Sequence, residues 1–472
     1  MVKAEQVRKF LSNPFVRWQL KKLSKRQESG KVFIDEMFAA YAGQGKVKLK
    51  YIPYFIFISL LPYILKADPK ELKKIYSTPY YRKAISNVAK SVSEYGLSTP
   101  QIFSTPILVV WNFTNACNLN CKHCYQDAHH VLPDELSLEE RLKVIDELDY
   151  NYISTLAFSG GEPLIHKDFW QVAKYAHDKG FHLSVATNGT LITKDVAARL
   201  KEVGINYVEI SVDSVKPEVH DEFRGGKGYW QRTIEGIKNC VEVDGLQVGM
   251  ATTLTRNNFS ELEELIELAK DLNVDYFYVF NFIPVGRGKD IIKDDLTPEM
   301  REEMLRILHT ALIENEHLGA FSTCPQYGRY CYQNAPEDVI INSHYGYAKG
   351  EHAKMLADYV GGCGVGRAYC AIQPNGVITP CVFLPIEVGN LREQRLADIW
   401  RNAEDLKGVR DRSTLKESCG SCDYRSMCGG CRARAYGYFG DYTAPDPGCI
   451  FNKAAWEKLT AQAEELELSA EV

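Results

Sequence analysis

Cys117-Asn-Leu-Asn-Cys121-Lys-His-Cys124-Tyr125 follows an apolar, strand-like run, Ile107 to Phe113. Its three cysteines stand at C-x3-C-x2-C, and an aromatic residue follows the last of them. A tetrahedral zinc site or a complete four-iron cubane takes four protein ligands. This loop supplies three at close range, so without a fourth from elsewhere one coordination position stays open. An open position on a sulfur-held metal serves chemistry rather than scaffolding. The competing reading is a zinc knuckle that borrows a distant Cys or His, for example His123.

A chain of 472 residues is large for one core and implies two or three domains. Hydrophobic residues make up 45% and charged residues 25%, the balance of a globular protein. A net charge of -5 gives no footprint for nucleic acid. Met1 to Arg26 is polar and basic, without an apolar core and a cleavage site behind it, so the expected location is the cytoplasm. In a reducing compartment, fourteen cysteines that fall in groups point to metal rather than to disulfides.

Ser159-Gly160-Gly161-Glu162-Pro163 lies about one βαβ unit beyond the cysteine loop. The two motifs, in this order, resemble the radical SAM superfamily. The resemblance implies that Cys117, Cys121 and Cys124 hold a catalytic [4Fe–4S] cluster, with Tyr125 beside it. S-adenosylmethionine would chelate the fourth iron and be cleaved to a 5′-deoxyadenosyl radical that abstracts hydrogen from a substrate. Gly160, Gly161, Glu162 and Pro163 would hold the methionyl amino group. An electron donor such as ferredoxin or flavodoxin is implied as well.

From Pro106 to about Glu316, apolar runs alternate with amphipathic patterns. Strands are expected at 107–113, 153–158, 181–187, 205–212, 246–254 and 275–282. Helices are expected at 137–148, 168–179, 193–202, 229–243, 259–271 and 297–315, several opening on usable caps such as Ser137 with Glu140. This alternation implies a parallel sheet with right-handed crossovers. Six such units resemble the partial (β/α)6 TIM-like barrel of the radical SAM core. Chemistry in such barrels sits at the C-terminal strand ends, where Thr187-Asn188-Gly189 and Ser211-Val212-Asp213 fall. Thr187, Asn188, Ser211 and Asp213 are therefore candidate cosubstrate contacts, although a turn and a cap would also account for them. His220-Asp-Glu-Phe-Arg224-Gly225 resembles a family segment whose arginine meets the carboxylate of SAM, a task suited to a planar guanidinium.

A second constellation runs C363-x6-C370-x10-C381, then C419-x2-C422-x5-C428-x2-C431-x17-C449. Paired cysteines at this density mean metal, either zinc or two complete cubanes. The stretch with Gly376-Val-Ile-Thr-Pro-Cys381 resembles the SPASM extension of radical SAM enzymes. The resemblance implies one auxiliary [4Fe–4S] cluster on Cys363, Cys370, Cys381 and Cys431, and another on Cys419, Cys422, Cys428 and Cys449, three clusters in all. Cys240 reads as a buried small hydrophobe, whereas Cys324 and Cys331 stay unassigned.

The fold class expected is thus α/β. A helical, basic and apolar extension spans 1–100, the barrel core 101–316, and an insertion or bridging region 317–362 with His344 and His352. The Cys-rich domain would span 363–455, and a C-terminal helix or tail 456–472. Tyr51 to Leu65 is apolar but for Ser59, and is interrupted by Pro53 and Pro62. It is too short to span a bilayer and fits either a buried helix or a segment in peripheral contact with a membrane. That region favours a hydrophobic substrate, first of all a membrane lipid. Cys428-Gly-Gly-Cys-Arg-Ala-Arg-Ala435 with Asp446-Pro-Gly-Cys449 resembles instead the radical SAM enzymes of alternative haem and haem d1 biosynthesis, which implies a tetrapyrrole. Peptide or protein maturation is the third reading, and Val382 argues against sulfatase maturation.

Overall fold

The computed structural model describes residues 9–65, 68–334, 359 and 361–470. The N-terminal region is helical, with α1 (Pro14–Leu23), α2 (Phe33–Tyr41), α3 (Ile52–Leu65), α4 (Pro69–Ser77) and α5 (Pro79–Tyr95) among the described residues. Two of them start on a capping side chain followed by proline: Asn13 accepts from the Phe15 N–H, and Asp68 from the Lys70 N–H. The apolar run that contains Pro53 and Pro62 is one helix, α3. Pro53 lies in its first turn, where no N–H is owed. Tyr51 and Ile58 are buried there, while Ile52 and Ile56 face outward with Val47 and Leu49. The helices share a core of Val32, Met37, Phe38, Tyr51 and Tyr76, in which the Phe38 and Tyr76 rings stack at 4.4 Å. Among the described residues, no helix is long and apolar enough to cross a membrane.

Six parallel strands follow: β1 (Leu108–Thr114), β2 (Thr155–Gly160), β3 (His182–Thr187), β4 (Ile205–Ser211), β5 (Gln247–Leu254) and β6 (Tyr276–Asn281). Each matches an expected strand to within about two residues. The intervening helices are α6 (Leu138–Tyr150), α7 (Phe169–Asp178), α8 (Lys194–Glu202), α9 (Pro217–Arg224), α10 (Tyr229–Val241) and α11 (Leu262–Asp271). A capping box opens α6, with Ser137 and Glu140 each serving the other's backbone N–H. The structure adds α9, a short helix that carries the His220–Arg224 segment.

The sheet does not stop at six strands. After α12 (Pro298–Glu314), β7 (Gly319–Ser322) pairs in parallel with β6, and α13 (Gln326–Asn334) follows. The region expected to be irregular thus begins as a seventh strand and a helix, whereas His344 and His352 lie outside the described residues. On the opposite edge, β8 (Tyr369–Ile372) from the Cys-rich segment pairs in parallel with β1, and β9 (Val377–Thr379) and β10 (Gly389–Asn390) extend it antiparallel. The order is β10-β9-β8-β1-β2-β3-β4-β5-β6-β7. Among the described residues, α14 (Leu396–Asn402), α15 (Glu404–Arg410), α16 (Glu417–Ser421), α17 (Arg432–Phe439) and α18 (Lys453–Ala470) follow. The fold is α/β, a partial TIM-like barrel with a helical N-terminus and a Cys-rich C-terminal region.

Helix α5 fastens the N-terminal helices through Arg82, whose Nε donates to Asp35 Oδ1 at 2.8 Å with both side chains buried. Asp35→Ala leaves that guanidinium buried without its carboxylate, and urea denaturation should show a loss of about 3 kcal/mol. An unchanged midpoint would mean that the backbone carbonyls around Arg82 hold it by themselves.

Candidate active site

The cysteine loop leaves β1 and is held by the end of β2. Gly161 N–H donates to Thr114 O and Glu162 N–H to Ala116 O, both at 2.8 Å. This approach requires glycine: a Cβ on Gly161 would lie 2.0 Å from Ala116 O, and Gly160 has φ +117° with a Cβ position 2.6 Å from Thr114 O. Glu162 then turns inward and is fully buried. It accepts from Thr187 Oγ1 and from Asn188 N–H, each at 2.9 Å, and burial pushes its carboxyl up to about 7. Asn188 Nδ2 reaches back to Asn118 Oδ1 at 2.9 Å, so the ends of β2 and β3 both brace the cysteine loop.

Arg224 closes the other side. Its Nε donates to Asp213 Oδ2 at 2.6 Å, and its Nη1 stands 3.8 Å from Cys121 Sγ. Asp213 also accepts from Thr253 N–H at 2.9 Å. The Asp213 carboxylate is thus paired with Arg224 and the Thr253 N–H, and Asp213 is not among the residues that line the cavity. His123, the alternative zinc ligand, stacks on Phe223 at 4.2 Å, and burial lowers its pKa to about 3.

Cys117, Cys121, Cys124, Tyr125, Gly160, Gly161, Thr187, Asn188, Ser211 and Arg224 all border one cavity of about 750 Å³. Glu162 and Pro163 stand behind its wall. The cavity continues down the barrel axis to Tyr80 and Tyr81 at the start of α5. Its interior carries groups that motif reading passed over: Tyr207 and Glu209 on β4, Tyr276 and Tyr278 on β6, and Phe321 on β7. Burial pushes the Glu209 carboxyl up to about 7, with the Tyr207 hydroxyl 3.4 Å away. The signal was present in the sequence, since Tyr207, Glu209 and Ser211 alternate with apolar Val208 and Ile210 along β4.

The second constellation divides. Cys419, Cys422, Cys428 and Cys449 line one small cavity beside Arg329 and Asn452. Cys381 and Cys431 sit with half-buried Cys363 in an apolar cluster that packs on Val110 and Ile283. The structure does not bring Cys370 to them: it lies in the barrel–helix core with Cys240, Cys324 and Cys331. Arg432, which is buried, donates to the Tyr442 and Ala444 carbonyls, and its Nη2 stands 3.8 Å from Cys419 Sγ. Arg412 donates to the carbonyls of Arg425, Ser426 and Cys363. Among the described residues neither arginine meets a carboxylate. A buried cation such as Arg432 requires a counter-charge, and a thiolate-held cluster beside it would supply one. Among the described residues no three His, Cys, Asp or Glu side chains converge on a single metal ion. A cubane is wider, each thiolate binding its own iron, so the cysteine groups fit iron–sulfur clusters better than zinc.

Comparison with known proteins agrees with this chemistry. Residues 111–269 match the model of the radical SAM superfamily, and residues 363–423 that of the SPASM iron-sulfur cluster-binding domain. An AdoMet-dependent heme synthase from Methanosarcina barkeri is 35% identical over 352 residues, which cover 97% of that enzyme and 74% of this chain. A pre-heme d1 synthase from Dinoroseobacter shibae is 30% identical over 355 residues, covering 87% of it and 74% of this chain. The crystal structure of Streptococcus suis SuiB bound to S-adenosylmethionine has the same fold, with TM-score 0.62 at 19% identity over 88% of this chain and 92% of that one.

Gly161→Ala should push Ala116 away and lower the thermal midpoint, together with the iron retained by the cysteine loop; unchanged values would show that the loop can yield. Glu209 binds its proton more tightly folded than unfolded, so its contribution is full below about 4.5 and is lost as pH rises to about 7. Glu209→Gln should flatten the stability profile across that window, as read from thermal midpoints at successive pH values.

Proposed function

Because the chain belongs to the radical SAM superfamily and carries a SPASM domain, we propose that it abstracts hydrogen from a side-chain carbon of a tetrapyrrole. It is an enzyme that uses S-adenosylmethionine and [4Fe–4S] clusters. The substrate reading is carried by one observation: similarity to a heme synthase over 97% of that enzyme's length. The barrel interior supports it. Tyr207, Tyr276, Tyr278 and Phe321 form a run of aromatic neighbours with centroids 5.3–6.5 Å apart and rings tilted to one another, an aromatic wall for a macrocycle. A volume of about 750 Å³ lies within the range of ligand sites. The membrane lipid expected from the N-terminal region finds no counterpart among these relatives and gives way to this reading.

In this proposal Cys117, Cys121 and Cys124 hold the cluster whose chemistry with S-adenosylmethionine supplies a 5′-deoxyadenosyl radical. Arg224, fixed on one edge by Asp213, turns its other edge to the cavity and pairs with a cosubstrate carboxylate. Glu162 positions Thr187 and Asn188 by accepting their hydrogen bonds. Gly160, Gly161, Tyr125 and Ser211 line the rest of the cosubstrate end. Glu209, near neutrality, is placed to donate or accept a proton beside the substrate. The electron comes from a donor of the ferredoxin or flavodoxin type. Exposed Val47, Leu49, Ile52 and Ile56, with Lys46 and Lys50 beside them, suit a peripheral contact with an anionic membrane.

Anaerobic reconstitution should give about twelve irons per chain, the content of three cubanes. Cys117→Ala, Cys121→Ala and Cys124→Ala should each abolish 5′-deoxyadenosine formation. A porphyrin with carboxylate side chains should bind the wild-type chain with a shifted absorption band and raise 5′-deoxyadenosine yield. Absence of both responses would overturn the tetrapyrrole reading; normal cleavage by the cysteine variants would overturn the ligand assignment.

A further inference from the structure

We propose that the auxiliary site of Cys363, Cys381 and Cys431 is a three-thiolate site whose remaining iron takes an oxygen or nitrogen donor, such as a substrate carboxylate, and that Cys370 is a packing residue of the barrel wall. This rests on the cluster-binding reading above and departs from four-cysteine ligation.

The argument is one of strand alternation. Tyr369 and Cys370 are consecutive on β8, so their side chains leave opposite faces of the sheet. Tyr369 marks the face of the site: its hydroxyl donates to Cys381 Sγ at 3.0 Å and accepts from Val382 N–H at 3.0 Å. Cys370 is in register with Val109 of β1, and its next same-face neighbour, Ile372, with Trp111. All four belong to the barrel–helix core and are fully buried. On the other face, Leu108 and Val110 pack with Tyr369, Cys381 and Cys431. To bring Cys370 across, β8 would have to slip by one residue, which exchanges every side chain between faces and turns Ile372 out of the core and Tyr369 off Cys381.

No other cysteine can replace it. Of the fourteen, three line the cosubstrate end of the cavity and four line the second auxiliary site, while Cys240, Cys324 and Cys331 lie in the same core as Cys370. Asp446, the carboxylate nearest Cys431, accepts from Cys431 N–H at 2.8 Å and from Gln326 Nε2 at 2.7 Å. The residues around Cys381 belong to the cavity wall: Tyr369, Val382 and Phe383 line it, and the Phe383 ring lies 4.7 Å from that of Tyr125. A fourth donor therefore has an approach from the substrate space.

The test uses full-length protein with Cys117, Cys121 and Cys124 all changed to Ala, which leaves the auxiliary clusters for electron paramagnetic resonance after reduction. Imidazole and acetate serve as probes. The proposal expects imidazole to shift one of the two signals. It expects Cys370→Ala and Cys370→Val to keep about eight irons per chain and both signals, whereas Cys381→Ala loses about four. Loss of about four irons from both folded Cys370 variants, or signals that imidazole and acetate leave unmoved in the parent chain, overturns it. Formation of 5′-deoxyadenosine by the wild-type chain is measured alongside, so that failure of the functional reading is told apart from failure of this one.

Discussion

Strand β1 is paired on both sides, to β2 and to β8, and is buried along its whole length. The two cysteine regions, more than 200 residues apart in the chain, are thereby registered to one strand. Trp111 and Phe113 point to the helices, and Leu108 and Val110 point to the auxiliary site. A parallel ladder fixes which residues share a face, so this pairing decides what each cysteine meets. At the end of β1 the backbone of Gly160 and Gly161 closes on Thr114 and Ala116, and the cysteine loop inherits its shape from that contact.

Buried charge joins the barrel to the Cys-rich region. Asp295 receives Arg301 and Arg434, Asn281 receives both guanidinium groups, and Asp446 stands between Arg434 and the Cys431 backbone. Charges held this deep cost desolvation and stabilise only when every partner is in place. They bind the segment that carries Cys419, Cys422, Cys428, Cys431 and Cys449 to the loop after β6, next to the cavity. Planar guanidinium groups suit that task because each can serve two carboxylates or carbonyls at fixed angles.

Much of the barrel was legible in the sequence. Apolar β-branched runs flanked by capped helices have few alternatives, and the six expected strands are found. β7 and β8 were not legible, since Gly319–Ser322 and Tyr369–Ile372 are too short for a periodic signal and are strands only because an edge of the sheet is there to receive them. The candidate site divides in the same way. Cysteine spacing and Gly-Gly-Glu-Pro could be read directly, because close approach and thiolate ligation admit few residue types. The partners of Asp213 and Glu162 could not be read: both are carboxylates at strand ends, and only the structure pairs Asp213 with Arg224 and the Thr253 N–H, and Glu162 with Thr187 and the Asn188 N–H.

By itself the sequence determined the chemistry available to this protein: eleven cysteines in ligand-like groups, a glycine pair where the backbone must approach another strand, and a repeating β/α pattern that closes around them. Tertiary structure decided which of those groups act together. Cys370 is one residue from Tyr369 in the chain but on the opposite face of the sheet, and Glu209 belongs to no motif yet borders the same cavity as Cys117. Spacing along a chain constrains what neighbours can do. Faces and cavities arise from the pairing of strands that are distant in sequence, and that pairing is set by burial of the whole sheet rather than by any one segment.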